Sequence, residues 1–369
     1  MTDEWRLIEL DALDGIETQT IYHAVGLAME KYDDIIDTVI ICWPKNPLVC
    51  VGYHQIIDEE VNTVYCKRKR LPIVRRVLGG GAVYLDSNQL FYQLITLLDN
   101  PKIPRKIADL YRISLKAPIE TYREIGINAN YAPINDIEAN GKKISGNGAA
   151  EIEGARILTG NLIFDFNYNE MVKILKVPNE KFRDKVARNL TERLGTIKQF
   201  LENPPKKQEV KKLLIKNFEK FLDVKFTKKT DLSIKEKEIN DYLKKYYTTD
   251  EWLNMNINRR SDLLSHRKVK ISASTKVYDS IYKAPGGLIR IFLEIFNNKI
   301  TDIIISGDFS TKPLNAPELI ENALKGSLIN PKEYINALSR VFQKNKIEIP
   351  GVTIDDFVKS IELSIKDIL

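Results

Sequence analysis

Apolar residues recur at three- and four-residue spacings through Ile16, Ile21, Ala24, Val25, Leu27 and Ala28, so residues 16–32 are expected to form an amphipathic helix. The texture then changes to short apolar runs. Thr38 to Trp43 and Leu48 to Val51 read as buried strands, joined by a turn from Pro44 to Pro47. Further strands are expected at 71–77, 82–85, 90–98 and 157–166. From Pro104 to about Gly126 the pattern is helical, and Pro118 forces a kink or break within it. Strands that arrive as a block between helical stretches, and do not alternate with helices, predict α+β with a mixed or antiparallel sheet.

Residues 196–247 are Lys-rich. After Pro204-Pro205, one helical stripe runs through Val210, Leu213, Leu214, Phe218, Phe221 and Leu222, and a second helix is expected near 233–246. Lys206-Lys207 and Lys211-Lys212 read as the solvated faces of these helices. Past Trp252 and a linker, Ile289, Ile291, Leu293 and Ile295 alternate with Arg290 and Glu294, the period of a strand. Asn297-Asn298 reads as a hairpin turn into Ile300 to Ser306, followed by helices near 316–325, 331–344 and 353–368. Two domains are expected, 1–250 and a small α+β domain over 260–369, as the 369-residue length also implies at roughly 100–200 residues per domain.

Composition narrows the function. Hydrophobic residues at 43% and charged residues at 29% exclude a disordered or collagen-like chain. There is no uncharged apolar run near ~18 residues, and Met1-Thr2-Asp3-Glu4-Trp5 has no basic stretch leading into an apolar one. A cytoplasmic protein without a membrane span is expected. The net charge, 56 − 50 = +6, suits an acidic partner and is too small for a nucleic-acid machine. Cys42, Cys50 and Cys66 form no CxxC, which points to a reducing compartment. With His23, His54 and His266 far apart, no protein-held metal is expected.

Candidate chemistry sits in two stretches. Arg75-Arg76-Val77-Leu78-Gly79-Gly80-Gly81-Ala82-Val83-Tyr84 sets two arginines before three glycines. Backbone N–H groups of such a turn can converge on an anion, and guanidinium groups suit phosphate or carboxylate. A plain glycine turn with exposed arginines is the alternative. In the second stretch, Asn135-Asp136 precedes an Asn140-Gly141 turn, and Lys143 begins a short strand ended by Gly146. A lysine so held is a fixed positive charge, although a hairpin with surface lysines would look the same. Neither GxxxxGK[ST] nor GxGxxG occurs, so the P-loop and Rossmann readings fail.

In order and spacing across about residues 35–166, these stretches resemble the lipoate–protein ligase family, which groups with biotin–protein ligases and octanoyltransferases. Gly52 and Gln55 match its early strand-turn. Thr249-Asp250-Glu251-Trp252, Lys283-Ala284-Pro285-Gly286-Gly287-Leu288-Ile289 and Ile305-Ser306-Gly307-Asp308-Phe309 resemble its junction and accessory domain. The resemblance implies the biotin/lipoate ligase fold and a two-step acyl transfer through lipoyl-AMP. ATP and its magnesium would be cofactors and lipoate the substrate. The acceptors would be lipoyl domains of the 2-oxoacid dehydrogenase E2 or glycine cleavage H protein type. By family position, Lys143 would be catalytic. Arg75, Arg76, Gly79, Gly80, Gly81, Ala82, Val83, Tyr84, Asn135 and Asp136 would bind nucleotide and acyl adenylate. The sequence departs from the family at Leu85, usually His, and at Leu158-Thr159-Gly160-Asn161, usually His-His-Gly-Thr. An octanoyltransferase would need a reactive cysteine; Cys42 and Cys50 read as buried in strands, and Cys66, beside Lys67, as exposed. A sensor that binds lipoate without turnover is the third reading. The positions 307–309 read as a plain strand-ending turn.

Overall fold

The computed structural model describes residues 3–177, 183–229, 231–256 and 275–366. It divides into two compact units. The first comprises Met1–Cys50, Val61–Val77 and Val83–Thr249; the second comprises Val51–Glu60, Leu78–Ala82 and Asp250–Leu369.

The first unit is built on β1 (Asp3–Leu13), helix α1 (Glu17–Lys31), β2 (Thr38–Pro44) and β3 (Leu48–Val51). After the short α2 (Ile57–Glu60), which belongs to the second unit, come α3 (Thr63–Lys69), β4 (Ile73–Arg75), β5 (Val83–Leu85), β6 (Gln89–Leu97), α4 (Ile107–Ser114) and α5 (Lys116–Glu124). Then follow β7 (Asn130–Ala132), β8 (Asp136–Ala139), β9 (Lys142–Ser145), β10 (Asn147–Ile152), β11 (Ala155–Ile163), α6 (Tyr168–Ile174), α7 (Arg183–Arg193), α8 (Ile197–Phe200), α9 (Lys207–Leu222), β12 (Val224–Lys229) and α10 (Ile234–Tyr246). The main sheet has the order β10-β11-β6-β2-β1-β12. β1 runs parallel to both β2 and β12, and the remaining pairs are antiparallel, so the sheet is mixed as expected. Small sheets β4-β3-β5 and β7-β8-β9 flank it.

Both faces of the main sheet are covered, which is why β2 reads as one unbroken apolar run. Trp5, Leu7, Val39, Ile41, Leu90 and Leu94 join a core with Leu110, Tyr111, Ile119, Val210, Leu214 and Phe218 from α4, α5 and α9. The opposite face lies under α1, which in turn packs on α10. The helical stretch after Pro104 breaks at Leu115, leaving Pro118 in the first turn of α5, where its missing N–H costs no intrahelical bond.

Strand β1 escapes the hydrophobic pattern because Glu4, Arg6 and Glu9 interrupt it. Arg6 is nonetheless buried. It donates from Nη1 to Glu236 Oε2 (2.9 Å) and from Nε to Thr38 Oγ1 (3.0 Å). Glu236 also accepts from Ser233 N at 2.7 Å, so one carboxylate caps α10 and neutralises a charge in β1. Lys211, expected on a solvated face, is buried as well: its amine lies 3.0 Å from Glu9 Oε2 and 2.9 Å from Asp11 Oδ1. Lys207 is half-buried, with its amine 4.6 Å from the centre of the Trp43 ring; Lys206 and Lys212 stay exposed.

His23 on α1 places Nδ1 2.9 Å from the Tyr247 hydroxyl, and burial pulls its pKa down from 6.5 to about 4. The folded state therefore binds this proton more weakly than the unfolded chain. Stability from a neutral His23 is complete above about pH 6.5 and is lost as pH falls toward 4, on the order of 3 kcal/mol in all. Denaturant melts across that range are expected to show a shallower acid slope in His23→Gln.

The second unit carries β13 (Thr275–Ala284), β14 (Gly287–Phe296) and β15 (Lys299–Gly307), an antiparallel meander backed by α11 (Ala316–Leu324), α12 (Pro331–Asn345) and α13 (Ile354–Ser364). The expected turn is present: Asn297 and Asn298 have φ of 49° and 60°, the two positive values a type I′ hairpin needs. Ile289, Ile291, Leu293 and Ile305 face the helices, and Phe292 and Ile304 pack on Ile56. Among the described residues, no helix is long and apolar enough to cross a membrane.

Candidate active site

The β8–β9 hairpin closes through Asn140-Gly141, with φ of 48° and 73°, and sets Lys143 opposite Glu138. On the other side of β9, the Lys143 carbonyl accepts from Gly195 N at 2.8 Å. The backbone of Lys143 is thus gripped from both sides. Its amine lies 2.7 Å from Asp136 Oδ1, with side-chain exposures of 38% and 29%. At that exposure the pair contributes only about 0–1 kcal/mol. The amine can therefore leave Asp136 for an incoming phosphate or carboxylate at small cost.

Around this pair the structure assembles polar groups that the motif reading did not select. Gly146 N donates to Asn161 Oδ1 (2.8 Å), Asn161 Nδ2 to Gln89 Oε1 (2.8 Å), and Gln89 Nε2 to the Tyr84 carbonyl (3.1 Å). Asn147 Nδ2 donates to the Asn135 carbonyl at 2.8 Å, and Asn135 Nδ2 returns a bond to the Asn147 carbonyl. Tyr92 donates to Asn147 Oδ1 at 2.5 Å. The Lys143 stem folds over Gly146: a Cβ there would lie 3.6 Å from Lys143 Cε. The available signal was polar residues within buried strands, as in Gln89 and Gln93 of β6.

Gly160 sits where this network has no room. A Cβ on it would overlap both Asn147 Oδ1 and the Tyr92 hydroxyl. Gly160→Ala must displace a buried hydrogen-bonded pair, and is expected to cost about 1–3 kcal/mol for overpacking and a further 1–3 for the broken bond. A drop in thermal midpoint, with lost order in the Asn135 and Asn147 amide resonances, would register it.

Arg75 ends β4 fully buried, whereas Arg76 is half-buried with Nη1 3.4 Å from the Cys50 carbonyl. Val83 and Tyr84 form β5, and burial pushes the Tyr84 phenol up to about 12. These residues lie in the first unit with Lys143, Asn135 and Asp136; Gly79, Gly80, Gly81 and Ala82 belong to the second. There Gly80 adopts φ 91°, and its carbonyl approaches Gly52 so closely that a Cβ on Gly52 would overlap it. A Cβ on Gly79 would overlap the Phe309 carbonyl. Gln55 accepts from Gly52 N at 2.9 Å, and Tyr53 N donates to the Leu78 carbonyl at 2.9 Å. His54 is 4% exposed; it bonds Thr311 Oγ1 at 3.0 Å and stacks on Phe309. The turn at 307–309 therefore packs against the triglycine stretch, beyond simply ending β15.

Cys66, expected to be exposed, is 1% exposed on the inner face of α3, and burial pushes its thiol up to about 11. Burial also raises Cys42 and Cys50, although Arg76 opposes the shift at Cys50. Of the substituted family histidines, Leu85 pairs with Leu48, and Leu158 lies in the main core. Among the described residues there is no group of three or more His, Cys, Asp or Glu able to hold a metal ion.

Residues 27–219 match the lipoyl protein ligase A/B catalytic domain, more than half of the chain. The chain belongs to that family. Residues 278–361 match the bacterial lipoate protein ligase C-terminus. The ligase-family chain is 30% identical to lipoate-protein ligase A subunit 1 of Thermoplasma acidophilum, over 70% of this chain and 98% of that protein. It is 27% identical to lipoate-protein ligase LplJ of Bacillus subtilis, over 90% and 95%. It is also 27% identical to octanoyltransferase LipM of Halalkalibacterium halodurans, over 56% and 83%. Among solved structures, a lipoate-protein ligase A bound with ATP superposes at TM-score 0.57 with 26% identity, covering 68% of this chain and 98% of that one. The bipartite ligase of Thermoplasma acidophilum, studied with its E2 lipoyl domain, superposes at 0.61 with 28% identity, covering 69% and 96%. The architecture is therefore the biotin/lipoate ligase fold, with a C-terminal sheet-and-helix domain.

Proposed function

We propose that this family member is an ATP-dependent lipoate–protein ligase acting in the cytoplasm, with catalysis in residues 1–250 and an accessory role for 260–369. In the first step a lipoate carboxylate oxygen bonds the α-phosphorus of ATP, the bond to the β-phosphate oxygen breaks, and pyrophosphate leaves. In the second, an acceptor lysine amine bonds the acyl carbon, the bond to AMP breaks with its electron pair, and the amine proton is released. Negative charge builds on phosphate oxygens first and on the carbonyl oxygen next, and one preorganised cation serves both. Lys143 is that cation. Within the first unit, Arg75, Arg76, Val83, Tyr84 and Asn135 hold the nucleotide and acyl adenylate. The donor set fits magnesium carried by the ATP phosphates, with Asp136 as the protein carboxylate, since magnesium favours one or two carboxylates plus phosphate.

The observation carrying this reading is the Lys143–Asp136 pair, weakly held beside Gly146 and Asn161. Three buried thiols with raised pKa values support a ligase over a thiol-dependent transferase. The test supplies ATP, magnesium, lipoate and an apo lipoyl domain. Lipoate-dependent pyrophosphate exchange and an acceptor mass gain are expected, unchanged after iodoacetamide treatment of the folded enzyme. An iodoacetamide-sensitive acyl-enzyme formed without ATP would instead establish the octanoyltransferase reading, and tight lipoate binding without turnover the sensor reading.

A further inference from the structure

The exposed end of α3 reads Lys67, Arg68, Lys69 and Arg70, four consecutive cations that the chemistry above does not use. The fold brings other cations beside them. Val61, just before α3, bridges Leu175, just after α6, and Asn62 N donates to the Ile174 carbonyl at 2.7 Å. Tyr65 of α3 donates to Glu170 of α6 at 2.8 Å. Arg183 of α7 donates to the Val172 carbonyl at 2.8 Å. Lys173, Lys176, Arg183 and Lys185 thereby join the α3 run in one band. Residues 63–70, 168–176 and 183–185 hold these eight cations and two carboxylates, Asp184 and the Tyr65-bound Glu170.

The band borders the proposed chemistry. α6 packs on β5, which carries Tyr84, and α7 packs on β9, which carries Lys143. Helix α7 has no buried side chain, and Val64 at the band's edge is 79% exposed. Cations on three helices of one unit, meeting beside β5 and β9, are more than the ordinary wet face of a single helix.

We infer that this band on α3, α6 and α7 is the docking surface for the acceptor protein, and that the acceptor presents a complementary acidic face. The inference rests on the ligase reading, because that reading requires a folded protein to bring its lysine to β9. Opposite charge would steer the encounter and raise the association rate, more so at low salt, since the Debye length is only about 8 Å at physiological ionic strength.

The test compares the full-length enzyme with Lys67→Glu/Arg68→Glu/Lys69→Glu and with the milder Lys67→Gln/Arg68→Gln/Lys69→Gln, using an apo E2 lipoyl domain as the probe. Anisotropy with labelled lipoyl domain is expected to show affinity weakened at least about tenfold by charge reversal, less by neutralisation, and a flatter salt dependence in both. Lipoate-dependent pyrophosphate exchange, which needs no acceptor, is expected to stay at the wild-type level. Unchanged affinity overturns the docking surface, as does an equal fall in exchange and transfer, or tighter binding of a DNA duplex than of the lipoyl domain by the wild-type band. If the wild-type enzyme catalyses no exchange, the ligase reading fails by itself, and the binding measurement still decides the surface.

Discussion

Replacing Lys143 with alanine is expected to slow both half-reactions by about 10²–10³, the usual cost of removing one preorganised group that stabilises developing negative charge. The fold should survive. The amine's partner, Asp136, has a side chain 29% exposed, so losing the pair costs about 0–1 kcal/mol, to which the stranded, buried Asp136 Oδ1 adds about 1–3. The backbone contacts of Lys143 to Gly195 and across the β8–β9 ladder do not involve its side chain. Lys143→Arg keeps the charge but replaces a compact ammonium with a planar fork, and should recover only part of the rate. Pyrophosphate exchange reports the first step, and single-turnover transfer from supplied lipoyl-AMP reports the second. Wild-type turnover by the alanine variant in both assays would remove Lys143 from the chemistry.

The largest stability effect is expected at Glu236, far from Lys143 in sequence. Glu236→Ala strands the Arg6 guanidinium inside the unit, with Thr38 as its one remaining side-chain hydrogen-bond partner among the described residues, and removes half of the α10 capping box. Stranding a buried charge costs about 3–5 kcal/mol, and losing the cap adds roughly 1 more. The double variant Arg6→Met/Glu236→Met removes both charges and should recover most of the loss, since apolar replacement of a buried pair is often close to neutral. Urea unfolding of the three proteins tests this directly. A single variant within about 1 kcal/mol of wild type would show that the pair is well solvated.

The chain displays its local chemistry openly. The turns at Asn140-Gly141 and Asn297-Asn298 follow from residues that tolerate positive φ, and both form where the sequence places them. The run at 38–43 is apolar because its strand is covered on both faces, so its burial follows directly from its composition. The ordered Arg-Gly and Asn-Asp-Lys motifs identified the family without any long-range information. Strand β1 stayed hidden because the charges that mask its pattern are neutralised by helices over 200 positions away, Arg6 by Glu236 and Glu9 by Lys211. Cys66 is hidden for a related reason: its neighbour Lys67 suggests water, but a helix turns adjacent residues to different environments.

By itself, then, the order of side chains determined the turns and the family. Periodicity and turn chemistry depend on near neighbours, and a motif survives as a string. Only tertiary structure decided that Asn161, Gln89 and Asn147 meet around the Lys143 hairpin, that Arg6 and Lys211 lie inside, and that three short stretches of cations form one band. The physical reason is that a buried polar group is tolerable only with its partner beside it, and that partner is chosen by how the strands and helices pack, not by its distance along the chain.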